Sequence, residues 1–209
     1  MIIPFLYDGP KSAAVTLLLA HGAGAPMDSA WMNGFAEGVG KAGVRVARFE
    51  FAYMAARRQG QRKPPPKAET LMDEFRAAIE ALMAKTPLLI GGKSMGGRVA
   101  SMIADEAGVA GLVCLGYPFH PPGQTEKLRT GHLEALKTKT LICQGTRDPF
   151  GTRQEVQGYR LSKRIALFWL EDGDHDFRPR LKVSGLTLAD NMALAIAKTA
   201  AFAGKSAAV

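Results

Sequence analysis

Ser94 lies within Gly92-Lys93-Ser94-Met95-Gly96, between the apolar run Leu88-Leu89-Ile90 and a helix-like stretch from Met95 to about Ala107. A strand, a Gly-x-Ser-x-Gly turn and a helix, in that order, present a serine hydroxyl at the C-terminal end of the strand. The helix N-terminus then sits beneath it. The flanking glycines remove Cβ atoms that would clash in so tight a turn. Such a serine is a candidate nucleophile for acyl transfer. Two other readings compete. Gly92-Lys93-Ser94 looks like the end of a phosphate-binding loop, but that motif needs a glycine five residues before its Gly-Lys, and Pro87 stands there. A glycine-rich turn without chemistry is the plainer alternative.

A serine hydroxyl needs a base, and the base needs an anionic partner. In sheets with this turn the chain order is Ser, then Asp or Glu, then His. Three of the four histidines, His120, His132 and His175, follow Ser94. Only His175 both leaves a strand-like run and has a strand-exit carboxylate before it. That carboxylate is Asp148, just past the run ending at Cys143. Asp172, Asp174 and Asp176 are nearer His175 in sequence, but side chains so close along the chain usually point elsewhere. Asp172-x-Asp174-x-Asp176 also resembles the start of a calcium loop. It lacks the glycine at position six, where Phe177 stands, and the terminal glutamate, where Val183 stands. A tetrahedral oxyanion requires preorganised donors. The Met95 N–H is one. The loop His21-Gly22-Ala23-Gly24 supplies the other, from Ala23 with Gly24 as runner-up, while His21 braces the loop.

The elements that must position these residues alternate regularly. Strand-like runs at Ile2–Tyr7, Val15–Ala20, Val44–Phe51, the stretch before Ser94, Val109–Gly116, Thr140–Cys143 and Ile165–Leu170 are separated by helix-like stretches. Ser29 caps the first helix, and Leu71, Phe75, Ile79 and Leu82 mark another by their spacing. Thr187 and Asp190 open a last helix as a capping pair, and 204–209 read as a frayed tail. Continuous apolar strands between helices predict a mostly parallel sheet covered on both faces. Sites in such sheets form at the strands' C-terminal ends, where every unusual loop here is found. No linker or repeat divides the chain, so 1–209 reads as a single α/β domain.

Composition is that of a soluble globular protein, 47% hydrophobic and 22% charged. No apolar run reaches membrane-spanning length, and the start of the chain lacks signal-peptide features. Cys114 and Cys143 in apolar runs fit a reducing, cytoplasmic setting rather than a disulfide framework. No Cys/His spacing suggests a metal, and the chemistry needs no cofactor. The net charge of +8 is spread without a nucleic-acid-binding motif.

His21-Gly22-Ala23-Gly24-Ala25, Gly92-Lys93-Ser94-Met95-Gly96-Gly97, Tyr117-Pro118-Phe119-His120-Pro121, Gly145-Thr146-Arg147-Asp148-Pro149-Phe150-Gly151 and Gly173-Asp174-His175-Asp176-Phe177 occur in one order. Together they resemble the α/β-hydrolase superfamily. More narrowly, they are similar to the small dienelactone-hydrolase-like predicted hydrolases, which include testis-expressed and NSL-complex hydrolase-like relatives. The resemblance covers nearly the whole chain. It implies a three-layer α/β-hydrolase fold and a Ser94, Asp148, His175 triad. It also marks Arg48-Phe49-Glu50-Phe51 and the basic proline loop after it as family features. Dienelactone hydrolases proper use a cysteine nucleophile, so their substrate does not carry over to Ser94.

The segment between Gly116 and the strand ending at Cys143 is too short for a large helical cap, so an open site is expected. Tyr117, Phe119 and His120 either line one wall of it or form a rigid turn packed on the sheet. Arg57 and Arg58, with Arg62 and Lys63, either overhang another wall and favour an anionic ester or are solvated loop charge. The expected activity is a serine hydrolase acting on small ester-type substrates, carboxylesterase or thioesterase-like, with oligomeric state open. A catalytically idle fold used for binding or as a scaffold is the alternative.

Overall fold

Strand-like runs of this chain are apolar on both alternating sides, so their strands must be covered on both faces. The computed structural model describes residues 3–61 and 63–207 and shows how that is done. Seven strands form one sheet in the order β1-β3-β2-β4-β5-β6-β7. They are β1 (Leu6–Asp8), β2 (Thr16–Ala20), β3 (Arg45–Phe49), β4 (Leu88–Lys93), β5 (Gly111–Leu115), β6 (Thr140–Gly145) and β7 (Ile165–Leu170). β1 runs antiparallel to β3, and all other pairs are parallel.

Alternation divides the strand residues between two cores. Leu18, Ala47, Ile90, Leu112 and Ile142 face one side, where α3 (Met72–Leu82) and α4 (Met95–Ile103) pack through Phe75, Val99 and Ile103. Leu17, Leu19, Val46, Leu89, Val113 and Leu141 face the other. There α1 (Ala30–Lys41) contributes Met32, Phe35 and Val39, and, after the one-turn helices α5 (Arg153–Val156) and α6 (Leu181–Ser184), α7 (Leu188–Ala207) contributes Ala195 and Ala203. The fold is that of an α/β hydrolase, and the connection from β5 to β6 holds only a short 3-10 turn, Gly131–Leu133, with no large cap. Among the described residues, no helix is long and apolar enough to cross a membrane.

Local capping works as the sequence implies. The Ser29 side chain accepts from the Met32 N–H at the start of α1. Thr187 and Asp190 exchange side-chain and backbone bonds ahead of α7. Most strand ends fall within two residues of the sequence reading, and four boundaries differ by more. The first strand starts at Leu6, and Ile2 lies outside the described residues. α4 ends at Ile103 rather than near Ala107. The basic stretch expected to be loop begins as a helix, α2 (Ala52–Arg58). The expected frayed tail is helical through Ala207, with 208–209 outside the described residues. Docking explains the last difference: Ala203 and Ser206 are buried, and the Phe202 ring lies directly over Gly111 at the start of β5.

The chain leaves β2 for β3 on one side of it, then returns to β4 on the other side. The loops after β2 and β4 therefore diverge and open a crevice at the strands' C-terminal ends, the usual ligand position in open α/β sheets.

Candidate active site

Ser94 follows β4 directly and adopts φ 51°, ψ −114°. Positive φ is uncommon for a non-glycine residue and costs roughly 1–3 kcal/mol unless the surroundings impose it. Here they do. The Ser94 N–H donates to the Leu115 carbonyl at 2.9 Å, and the Ser94 carbonyl accepts from the Arg98 N–H at 3.0 Å. The turn is pressed so closely on β2 that a Cβ at Gly96 would lie 2.6 Å from the backbone oxygens of Ala20 and His21. Glycine is required there by the approach of another strand.

Asp148 lies in the turn after β6 and is fully buried. Its Oδ1 accepts the Phe150 N–H at 2.9 Å. Its Oδ2 accepts from Gln144 Nε2 at 2.9 Å and from His175 Nδ1 at 2.8 Å. Because a carboxylate only accepts, the His175 proton resides on Nδ1 and Nε2 is free to accept. Ser94 Oγ stands 2.8 Å from that Nε2. The structure thus brings the serine, histidine and aspartate named from the sequence into one hydrogen-bonded chain.

The loop carrying His175 is held at several points. Asp172 pairs with Arg180 and Arg147, which hold its carboxyl down at about 2, and it has φ 53°. Asp174 Oδ1 accepts the Asp176 and Arg178 N–H groups. Buried Asn191 donates to the Phe177 and Glu171 carbonyls. With the Asp176 carboxylate 3.2 Å from Lys93 Nζ, all three aspartates near His175 are engaged elsewhere and leave Nδ1 to Asp148. Gly116 makes room for the His175 backbone, since a Cβ there would lie 2.9 Å from the His175 carbonyl oxygen. The Phe150 ring packs 4.3 Å from the imidazole.

On the other side of Ser94 runs the loop from Gly22 to Ala25. Buried His21 donates from Nδ1 to the Gly22 carbonyl at 2.7 Å and accepts the Phe51 N–H at Nε2. Burial lowers its pKa, so it stays a neutral brace. Tyr53 Oη donates to the Ala23 carbonyl at 3.1 Å. With these carbonyls tied back, the amides of Ala23, Gly24 and Met95 have no protein acceptor among the described residues. Gly22 and Ser94 nearly touch: a Cβ at Gly22 would lie 3.7 Å from that of Ser94.

A cleft of about 320 Å³ opens over Ser94 and His175, lined also by Ala23, Trp31, Lys93 and Phe150. Its walls correct the sequence reading. Tyr117, Phe119 and His120 do not line it, being at most 1% exposed. Tyr117 and Phe119 pack together in the core, and Tyr117 Oη donates to the Arg129 carbonyl. His120 donates from Nδ1 to the Pro121 carbonyl, and its backbone N–H donates to the Phe150 carbonyl. The proline turn is thus a structural support for the Asp148 loop. Arg58 is also absent from the cleft, bound to Glu50 and Asp28 through four hydrogen bonds. Arg57 is one step removed. Its Nε donates to the Lys63 carbonyl, and its Nη1 lies 3.4 Å from the Ala23 carbonyl. Arg62 lies outside the described residues.

Sequence reasoning missed four residues. Gln144 orients Asp148, Phe150 packs on His175, and Trp31 and Lys93 form a wall. Lys93 was visible inside the glycine motif and Phe150 two residues after Asp148, but neither was given a role. Nothing in the local pattern of α1 marks Trp31 as part of a site.

A seven-stranded sheet with a serine elbow, a following acid and a following histidine defines an α/β serine hydrolase architecture. This chain belongs to the family described as alpha/beta hydrolase domain, whose model matches residues 13–204. Solved structures share the fold at low identity. A serine hydrolase homologue from Coxiella burnetii superposes with TM-score 0.71 at 17% identity, covering 94% of this chain and 91% of that one. A lidless serine hydrolase from Xanthomonas campestris gives 0.68 at 18%, covering 96% and 89%. A dienelactone hydrolase from Anabaena variabilis gives 0.69 at 20%, covering 93% and 89%.

Proposed function

We propose that this protein is a serine hydrolase that cleaves ester-type bonds in small substrates through an acyl-enzyme on Ser94. The observation that carries the reading is the 2.8 Å contact from His175 Nε2 to Ser94 Oγ, with His175 Nδ1 at 2.8 Å from buried Asp148. His175 takes the Ser94 proton as Oγ attacks the acyl carbon. Asp148 holds the tautomer and stabilises the imidazolium. The negative charge on the tetrahedral oxygen meets the Met95 and Ala23 amides, which face no competing acceptor. His175 then gives the proton to the leaving alcohol or thiol. Water, activated by the same imidazole, attacks the acyl-enzyme and releases the acid. The open, capless cleft suits short acyl groups, and the residues supply every proton transfer without a cofactor.

Labelling with a fluorophosphonate probe tests the reading directly. Folded protein should react at Ser94, and Ser94→Ala should not. Turnover of p-nitrophenyl acetate should fall by about 10⁴-fold or more in Ser94→Ala. Failure of the folded parent protein to label would return the fold to a binding or scaffold role.

A further inference from the structure

Lys93, the residue before Ser94, is the only Lys or Arg among the described residues lining the cleft. Its side chain is 9% exposed. The ammonium carries three donors, yet one carboxylate stands within 4 Å among the described residues, Asp176 Oδ1 at 3.2 Å. The Trp31 ring centroid is 5.5 Å from Nζ. Trp31 is itself fixed by donating Nε1–H to the Asp176 carbonyl at 3.0 Å and by stacking on Phe35. A buried ammonium held against an aromatic wall, with donors left over, is an anion-recognition arrangement.

The surrounding charges limit the anion. Asp148 is occupied by His175, Gln144 and the Phe150 amide. Asp174 is occupied by backbone N–H groups of its own loop. Asp176 is 63% exposed, so water can replace Lys93 as its partner at little cost. One desolvated cation amid several carboxylates accommodates a single negative charge and disfavours a phosphate dianion. Burial pushes the Lys93 pKa down while Asp176 pulls it up. A second anion inside the cleft would favour the charged amine in a low-dielectric setting.

We propose that Lys93 recognises a carboxylate on the substrate, so that the cleft takes half-esters of small dicarboxylic acids over neutral esters. This assigns to Lys93 the anion selectivity that the sequence suggested for Arg57 and Arg58. The inference rests on the ester-hydrolase reading of the same cleft.

The test uses Ser94→Ala protein, which holds ligand without turnover. Monomethyl glutarate and dimethyl glutarate are titrated while tryptophan fluorescence is followed, because Trp31 forms the wall beside Lys93. The monoester should bind about tenfold more tightly than the diester, the discrimination of one charge-assisted contact. Adding Lys93→Met should remove that preference. Asp176→Asn, which frees the ammonium, should widen it, and this variant decides the matter if Lys93→Met does not fold by circular dichroism. Equal affinities for the two esters, no saturable signal with either, a preference that survives Lys93→Met, or one that Asp176→Asn leaves unchanged or narrows would each overturn the inference. Absence of fluorophosphonate labelling overturns the hydrolase reading instead, so the two failures are separate.

Discussion

Gln144 Nε2 donates to Asp148 Oδ2, the same oxygen that accepts from His175 Nδ1. Gln144 is fully buried, and its Oε1 accepts the Tyr117 N–H at 2.7 Å. One amide side chain thus ties the end of β6 to the end of β5 and aims the carboxylate. Gln144→Leu keeps much of the volume and loses all of these bonds. We expect a stability loss of about 2–3 kcal/mol, since a buried N–H is left unpaired. We also expect kcat on p-nitrophenyl acetate to fall by up to about a hundredfold with KM little changed, because the imidazole is less well aimed. Urea titration and steady-state kinetics measure the two effects.

Asp148→Asn probes the tautomer itself. The new amide can donate toward Nδ1, which places the histidine proton on Nε2, where it can no longer accept from Ser94. A loss of about 10⁴-fold in kcat is expected, with the circular dichroism spectrum unchanged. Retention of activity within tenfold would exclude Asp148 as the orienting acid.

Stability changes on α1 should separate two glycines of one helix. Gly34 is exposed, and a Cβ there meets nothing within 4 Å. Gly34→Ala should stabilise the fold by about 0.5–1 kcal/mol by restricting the unfolded chain, or about 2–4 °C in Tm for each kcal/mol. At Gly38 a Cβ would run into the Ile196 side chain of α7, so Gly38→Ala should not stabilise. Thermal melts of the two variants suffice.

Acid sensitivity should begin near pH 6.5. Burial lowers the pKa of both His21 and His132 below the ordinary histidine value of 6.5. The folded protein therefore resists protons that the unfolded chain accepts. Their contribution is present above about 6.5 and is lost as the pH falls through that value toward the folded pKa values. Urea midpoints should drop between pH 7 and pH 5, and His132→Gln should make that drop shallower. A midpoint independent of pH across this range would contradict the buried, neutral state of both rings.

Arg58 offers a contrasting case. Four of the five N–H donors of its guanidinium are taken by Glu50 and Asp28. Arg58→Gln should leave the relative rates on neutral and anionic esters unchanged. Because the Glu50 side chain is only 5% exposed and loses its guanidinium partner, the change should cost more than the roughly 1 kcal/mol of an exposed pair. A lost preference for anionic esters would return the selectivity role to the basic loop.

Much of this architecture was legible because it depends on near neighbours. Apolar runs reveal strands, and the Ser29 and Thr187 caps act within one helical turn. The serine, the later acid and the later histidine could be picked out because each leaves a strand at the same end of a parallel sheet. Other residues were misjudged because distant partners decide their roles. Tyr117, Phe119 and His120 look like a cleft wall beside a strand end, but the turn folds inward against the Asp148 loop. Arg58 looks free along the chain, but Asp28 is brought to it from the start of α1. The last turns of α7 look frayed, but the ends of the sheet bury them.

The amino-acid sequence by itself determined the layered α/β sheet, the glycine-flanked Ser94 turn and the order of candidate chemical groups, because periodicity, capping and turn geometry are short-range effects. Tertiary structure alone decided that Gln144 aims Asp148, that Trp31 and Lys93 share a wall, and that Arg57 and Arg58 are spent on other partners. Those outcomes depend on which side chains meet across the sheet. Hydrogen bonding and desolvation act over a few ångströms in space, whatever the separation along the chain.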